Sequence, residues 1–191
     1  WDIPRDKPDY SLKNISLIRK DLKIRTVFNL LGPFANPASV ERQVIGVPNL
    51  DIAKKLAKVG RKLSYERLLI VTSVDGMDEI SLHSKTIIFE INKKSVRRLI
   101  IDPQEFGFKT INKKQIMSDT IDDSAKIIKN ILNGKKGPHR DLVVFNSAFA
   151  LYTAGTAKNI KDGILLAEKS IDSGNAKLVL ENLVNETQKY E

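Results

Sequence analysis

The order of apolar patterns along the chain predicts an α/β fold, a mostly parallel sheet flanked by helices. Three observations carry the prediction. A strand pattern at 42–47, a helical stripe and a strand pattern at 67–73 follow one another. Two β-rich runs, 86–91 and 96–101, then read as a hairpin. Helical patterns fill most of the chain from 123 to 185.

Each element has its own local signal. Ser11 caps a predicted helix through Leu22, with Leu12, Ile15, Ile18 and Leu22 on one face. The apolar run 26–31 stops at Gly32-Pro33, and Asn36-Pro37 follows, so 32–39 reads as an ordered loop. A helix starting at Asn49 or Asp51 places Ile52, Leu56, Val59 and Leu63 in a stripe of period 3.6. Residues 67–73 contain Leu-Leu-Ile-Val, the unbroken apolar run of a buried parallel strand. The hairpin turns at 92–95, and Asp102-Pro103 breaks the chain before connecting material to Thr120. Asp123 or Ser124 starts a helix that ends at Asn133-Gly134. The segment 141–154 is apolar on nearly every side, the mark of a helix in the middle of a domain. Two amphipathic helices, 159–173 and 176–185, complete the chain. Nothing before Arg42 supplies a Gly-rich phosphate loop, and the chain reads as if entered in mid-domain.

Composition narrows the function. With 41% hydrophobic residues, 10 Gly and 7 Pro in 191 residues, the chain is neither disordered nor fibrous. Zero Cys excludes a disulfide scaffold, a thiolate zinc site and a cysteine nucleophile, and fits a reducing cytosol. The apolar runs are too short to cross a bilayer, and the first ten residues are not a signal peptide. The expected location is cytoplasmic, without a membrane partner. The formal charge of +9 raises the question of nucleic acid. Its distribution argues against that partner: basic residues are mixed with acids, occur at most as doublets, and favour Lys over Arg.

Three constellations could carry chemistry. Asp75-Gly76-Met77-Asp78-Glu79 follows the strand at 67–73, at the sheet edge where ligands bind in open α/β folds. It reads either as hard oxygen ligands for Mg²⁺, which takes one or two carboxylates and completes its shell with water and phosphate, or as a solvated turn. Arg19 lies at the edge of the first helical stripe, where it either grips a carboxylate bidentately or snorkels. It leads into the fixed loop Gly32-Pro33, which either walls a pocket or merely turns the chain. The segment 133–141 has glycines and bases but not the P-loop order, and reads as a helix end, a surface loop and a helix start. His83 and His139, the only histidines, read as isolated loop residues, and Asn146 as a structural pin inside the buried helix.

These motifs together resemble the anthranilate phosphoribosyltransferases. The resemblance rests on Ile18-Arg19-Lys20, Arg25-Thr26, Phe28-Asn29, Gly32-Pro33 and Asn36-Pro37-Ala38, then on Gln43, Gly46-Val47 and residues 75–81. Asp102-Pro103, Phe106-Gly107, Asn146 and the ending 167–176 follow in the same order, and the match covers about 7–185. It implies a partial catalytic domain of the nucleoside phosphorylase and phosphoribosyltransferase type, with 1–191 the C-terminal portion of a single α/β domain. The implied reaction joins anthranilate to phosphoribosyl pyrophosphate, releasing pyrophosphate, in tryptophan biosynthesis. By this resemblance Arg19 binds the anthranilate carboxylate, Gly32 and Pro33 line its pocket, and Asp78 and Glu79 hold Mg²⁺.

The resemblance has gaps. Members of that family begin with a small helical domain carrying the dimer contact, then a Gly-Thr-Gly-Gly-Asp phosphate loop and a Lys-His-Gly-Asn segment. None of these motifs occurs in the 191 residues. Lys7-Pro8 stands nearest to the family's His-Pro, and Lys23 stands where a Gly is usual. The expectation is therefore a chain inactive alone, and a homodimer formed through a segment outside it. Two other readings compete: a basic nucleic-acid-binding relative without transferase activity, and a nucleoside phosphorylase, which Arg19 and the Gly32-Pro33 loop disfavour.

Overall fold

The computed structural model describes residues 32–34, 38–93 and 95–190, and the chain divides after Ala38 into two units, each described by itself. The expected helix at 11–22, the run 26–31 and Arg19 lie outside the described residues. Of the first unit, Gly32–Phe34 forms a single 3₁₀ turn.

The second unit contains one four-stranded sheet in the order β1-β2-β3-β4. Its strands are β1 (Arg42–Gly46), β2 (Arg67–Ser73), β3 (Thr86–Asn92) and β4 (Ser95–Ile101). Helix α1 (Leu50–Gly60) crosses between β1 and β2 and makes them parallel, with Val44 opposite Leu69 and Gly46 opposite Val71. The other two pairs are antiparallel, so the described sheet is mixed rather than mostly parallel. The reason is the missing crossover: no helix lies between β2 and β3 or between β3 and β4, and strands joined without one return antiparallel. The hairpin at 86–101 is present, and Lys93 takes φ 53° in its turn.

Alternation along β2 divides its side chains between two faces. Leu69 and Val71, with Ile88 of β3, join Phe145 and Phe149 of α3 (Pro138–Ala154) in one core. On the other face, Leu68 of β2 approaches Gly60 of α1, where a Cβ would lie 2.6 Å from Leu68 Cδ2. This close approach decides which side of α1 is buried. Ala53, Leu56, Ala57 and Gly60 face inward, whereas Val59 and Leu63 of the expected stripe are exposed. Asn49 caps α1, accepting the Ile52 N–H at 3.0 Å.

The remaining helices are α2 (Ile121–Leu132), α4 (Ile160–Asp172) and α5 (Asn175–Thr187). Thr120 caps α2, and Asp122 and Asp123 occupy its first turn, complementing the helix dipole. The cap lies three or four residues before the expected Asp123 or Ser124. Asn159 caps α4 as its side-chain chemistry favours. No helix among the described residues is long and apolar enough to cross a membrane.

Helix α3 positions the site. It packs against the core face of β1 and β2 on one side and against α4 on the other. Gly163 of α4 makes the second contact possible, because a Cβ there would sit 2.6 Å from the Ala148 carbonyl oxygen. Two arginines bind the carbonyl end of α3. Arg42 Nη1 donates to Ala154 O at 2.7 Å, and Arg67 Nη1 to Tyr152 O at 2.5 Å. Both complement the negative end of the helix dipole. Arg42 is itself held by Glu66 through two parallel hydrogen bonds.

Candidate functional site

The acidic segment leaves β2 at Ser73 and turns immediately. Gly76 N–H donates to Ser73 O at 3.1 Å, and Ser73 N–H to Met77 O at 2.9 Å. Gly76 takes φ 85°, a conformation favouring glycine, so the turn depends on that residue. Asp78 is exposed, Glu79 is partly buried, and Ile80 and Leu82 beyond them are buried in the core of Leu69, Val71, Phe145 and Phe149. Each such burial stabilises the chain by about 1.5–3 kcal/mol. The acidic pair is thus a short free arc between a glycine turn and an apolar anchor.

Three further contacts fix the arc. Asn146 of α3 accepts the Ile80 N–H and donates to Ile80 O, both at 2.9 Å, and also donates to Leu142 O at 3.0 Å. This is the structural pin expected of Asn146. Thr86 Oγ1 accepts the Ser81 N–H at 3.0 Å. Gly46 ends β1 so close to the arc that a Cβ would lie 1.6 Å from the Asp78 carbonyl oxygen. The C-terminal end of β1 therefore lies directly against Asp78, while the end of β2 at Ser73 bonds Gly76 and Met77 just before it.

The three carboxylates are not equivalent. Burial pushes the Asp75 carboxyl up, but hydrogen bonds from Met77 N–H, Ser73 and Ser81 and the His83 imidazole outweigh it, leaving it below its ordinary value. Asp75 is thus consumed inside the protein. Glu79 is pushed the other way, first by desolvation and then by repulsion from Asp78 and Asp75. A carboxylate raised by its neighbours gains from a cation. Among the described residues no group of three or more His, Cys, Asp or Glu could hold a metal ion. A hard divalent cation such as Mg²⁺ needs only one or two carboxylates and completes its shell with water and phosphate oxygens, and Asp78 and Glu79 are the adjacent carboxylates of this loop.

The structure places the other predicted residues less fully. Gly32 and Pro33 lie in the 3₁₀ turn of the first unit, and Pro33 is partly buried. Arg19 lies outside the described residues. Segment 133–141 is the expected helix end, loop and helix start, with Gly134 at φ 84° and Pro138 opening α3. His139 falls inside the first turn of α3 rather than in a loop. His83 is in the expected loop but is not isolated: it pairs with Asp75 and bonds Ser81. Sequence reasoning missed this pairing and the Gly46–Asp78 contact. The first left a faint signal, a His eight residues after an Asp within a turn-rich stretch; the second left only a glycine at a strand end.

Comparison with known proteins gives a consistent result. The family described as glycosyl transferase family, a/b domain, matches residues 7–177. An anthranilate phosphoribosyltransferase of Clostridium kluyveri is 42% identical over 180 residues, covering 93% of this chain and 54% of that protein. One of Methanobrevibacter smithii is 41% identical over 177 residues, covering 93% and 53%. The solved anthranilate phosphoribosyltransferase of Saccharomyces cerevisiae in complex with 4-fluoroanthranilate superposes with TM-score 0.84 at 31% identity, covering 93% of this chain and 52% of that one. The same yeast enzyme in complex with PRPP and Mg gives TM-score 0.84 at 30% identity, with the same coverage. The chain spans about half the length of the curated relatives it matches. With its mixed sheet, flanking helices and acidic loop at the strand ends, the chain belongs to the glycosyl transferase family, through its a/b domain.

Proposed function

We propose that this chain is the metal-side portion of an anthranilate phosphoribosyltransferase, the C-terminal part of one α/β catalytic domain. The observation that carries the reading is the arc Asp78-Glu79, adjacent carboxylates in the loop after β2, with Asp78 against the Gly46 end of β1 and Glu79 pushed up by burial and by repulsion from Asp78 and Asp75. The similarity to relatives of that name supports it.

In the proposed reaction the amine of anthranilate forms a bond to C1 of the ribose. The C1–O bond to pyrophosphate breaks, pyrophosphate takes the electron pair, and the amine nitrogen, once bonded to C1, gives its proton to solvent water. Bound Mg²⁺ would supply charge neutralisation on the departing pyrophosphate. Asp78 and Glu79 would hold it, and Asn146, Ile80 and Gly46 keep them in place. Arg19 would grip the anthranilate carboxylate, and Gly32 and Pro33 would wall the acceptor pocket. Positioning and charge neutralisation supply most of the chemistry in this reading, which fits the lack of an evident nucleophile or strong base in the sequence motifs. The proposal includes tryptophan biosynthesis, a cytoplasmic location and a homodimer formed through a segment outside these residues.

The test supplies the N-terminal half of a relative and measures phosphoribosyl-anthranilate formation. Asp78→Asn with Glu79→Gln should raise the Mg²⁺ and phosphoribosyl pyrophosphate requirements by about 100-fold. Arg19→Ala should raise chiefly the anthranilate requirement. Unchanged turnover in both would overturn the assignment.

A further inference from the structure

The nine residues from Asp75 to His83 close on themselves. Asp75 Oδ1 accepts the Met77 N–H at 3.2 Å, and Asp75 Oδ2 accepts the Ser81 hydroxyl at 3.3 Å and pairs with His83 Nε2. Ser81 Oγ lies 3.1 Å from His83 Nδ1 and accepts the N–H groups of His83 and Ser84 at 3.0 and 3.2 Å. The side chains of His83 and Asp75 are only 12% and 17% exposed, and Ser81 is fully buried. Shielding from water strengthens these contacts to the Asp75 carboxylate. Asp78 and Glu79 lie on the stretch of chain that the brace spans. The brace joins the segment before them to the segment after them, and neither end belongs to a strand or helix.

We infer that the Asp75–Ser81–His83 brace sets the spacing of Asp78 and Glu79, which makes His83 a positioning residue for the divalent cation. The inference rests on the reading of Asp78 and Glu79 as the cation's ligands. It also divides the labour among the three carboxylates: Asp75 shapes the loop, while the other two face the ligand. Groups that orient metal ligands from outside the coordination shell typically control affinity by about 10–100-fold.

The experiment uses the isotopically labelled chain, with Mn²⁺ as the probe, and follows the broadening of the Asp78, Glu79 and Ile80 amide signals. His83→Ala and Asp75→Ala should each raise the Mn²⁺ concentration for half-broadening by about tenfold. The double variant should be no worse than either single one, because one brace is lost in each case. His83→Gln, whose amide can still donate to Asp75, should recover most of the loss. His83→Leu, which fills the space without a donor, carries the same expectation as His83→Ala if the smaller side chain prevents folding. Gly163→Ala, at the remote α3–α4 contact, serves as a destabilised control with unchanged Mn²⁺ response. A His83→Ala chain within about twofold of the parent, while Asp78→Asn with Glu79→Gln abolishes broadening, would overturn the inference and leave the ligand reading standing. Broadening that survives Asp78→Asn with Glu79→Gln would overturn the ligand reading and the inference with it.

Discussion

A single methyl group added at Gly46 should weaken cation binding although Gly46 has no side chain to offer. An Ala Cβ at this position would lie 1.6 Å from the Asp78 carbonyl oxygen, 2.7 Å from its carbonyl carbon and 3.4 Å from its Cβ. Carbon and oxygen approach comfortably to about 3.3 Å, so the gap must open by about 1.7 Å. Strand β1 cannot supply that movement cheaply. It is paired with β2 through Gly46 and Val71, and Val47 N–H donates to Val71 O at 2.9 Å. Ile80 cannot supply it either, being 1% exposed and clasped by Asn146. The arc Asp78-Glu79 must take up the displacement. Overpacking of this kind costs about 1–3 kcal/mol of stability. A misplacement of about 1 Å can cost about 100-fold in activity. The assay is paired: urea unfolding of the chain, and the Mg²⁺ concentration for half-maximal transfer in the completed enzyme. Gly163→Ala, which meets Ala148 O at 2.6 Å, should lose similar stability with an unchanged Mg²⁺ requirement. If Gly46→Ala destabilises the chain but leaves the Mg²⁺ requirement where Gly163→Ala leaves it, the argument for the arc's placement fails.

Other perturbations give distinct readouts. Asn146→Ala strands the N–H and C=O of Ile80 and should cost about 2–4 kcal/mol, read as a lower Tm and faster amide exchange at Ile80. Asp75 is held below its ordinary carboxylate value, so its stabilisation is complete above that value and lost as pH falls through the folded one. The Tm gap between the parent and Asp75→Asn should therefore be widest near pH 7 and shrink below about pH 4. Glu79 has the opposite sign: its raised value means the ionised form opposes folding at neutral pH, and that penalty vanishes in acid. Glu79→Gln should raise the Tm of the metal-free chain near pH 7 by about 1–2 °C. Mg²⁺ should raise the parent's Tm more than the variant's.

The elements that reveal themselves in sequence are those whose signals are local. Val44 to Gly46, Leu68 to Val71 and the cap Asn49 carry their pattern or cap within a few residues, and each element lies where expected. Strand direction is not local. The run at 67–73 reads as parallel and is parallel to β1, but its antiparallel partnership with β3 depends on a connection that folds as a loop and not as a crossover helix. Periodicity places Val59 and Leu63 in the buried stripe because it counts large side chains, but Val59 is exposed and Leu63 lies beyond the end of α1 and is exposed too. The sheet here is approached through small ones, Ala53, Ala57 and Gly60. At the site, Asp78 and Glu79 are legible as adjacent carboxylates after a strand. The different fate of Asp75 is not, because it is decided by His83 and Ser81 folding back across the loop. Gly46 carries no chemistry at all, and its role exists only once two strand ends meet.

In the proposed function Asp78 and Glu79, and not Asp75, hold the cation that meets pyrophosphate. Anomalous diffraction from the completed enzyme, crystallised with Mn²⁺ and pyrophosphate, would locate that cation. The expected result is a peak with oxygens of Asp78 and Glu79 at about 2.1 Å, pyrophosphate oxygens completing the shell, and Asp75 still paired with His83. A peak elsewhere, or one in which Asp75 has left His83 to replace Asp78 or Glu79, would contradict it.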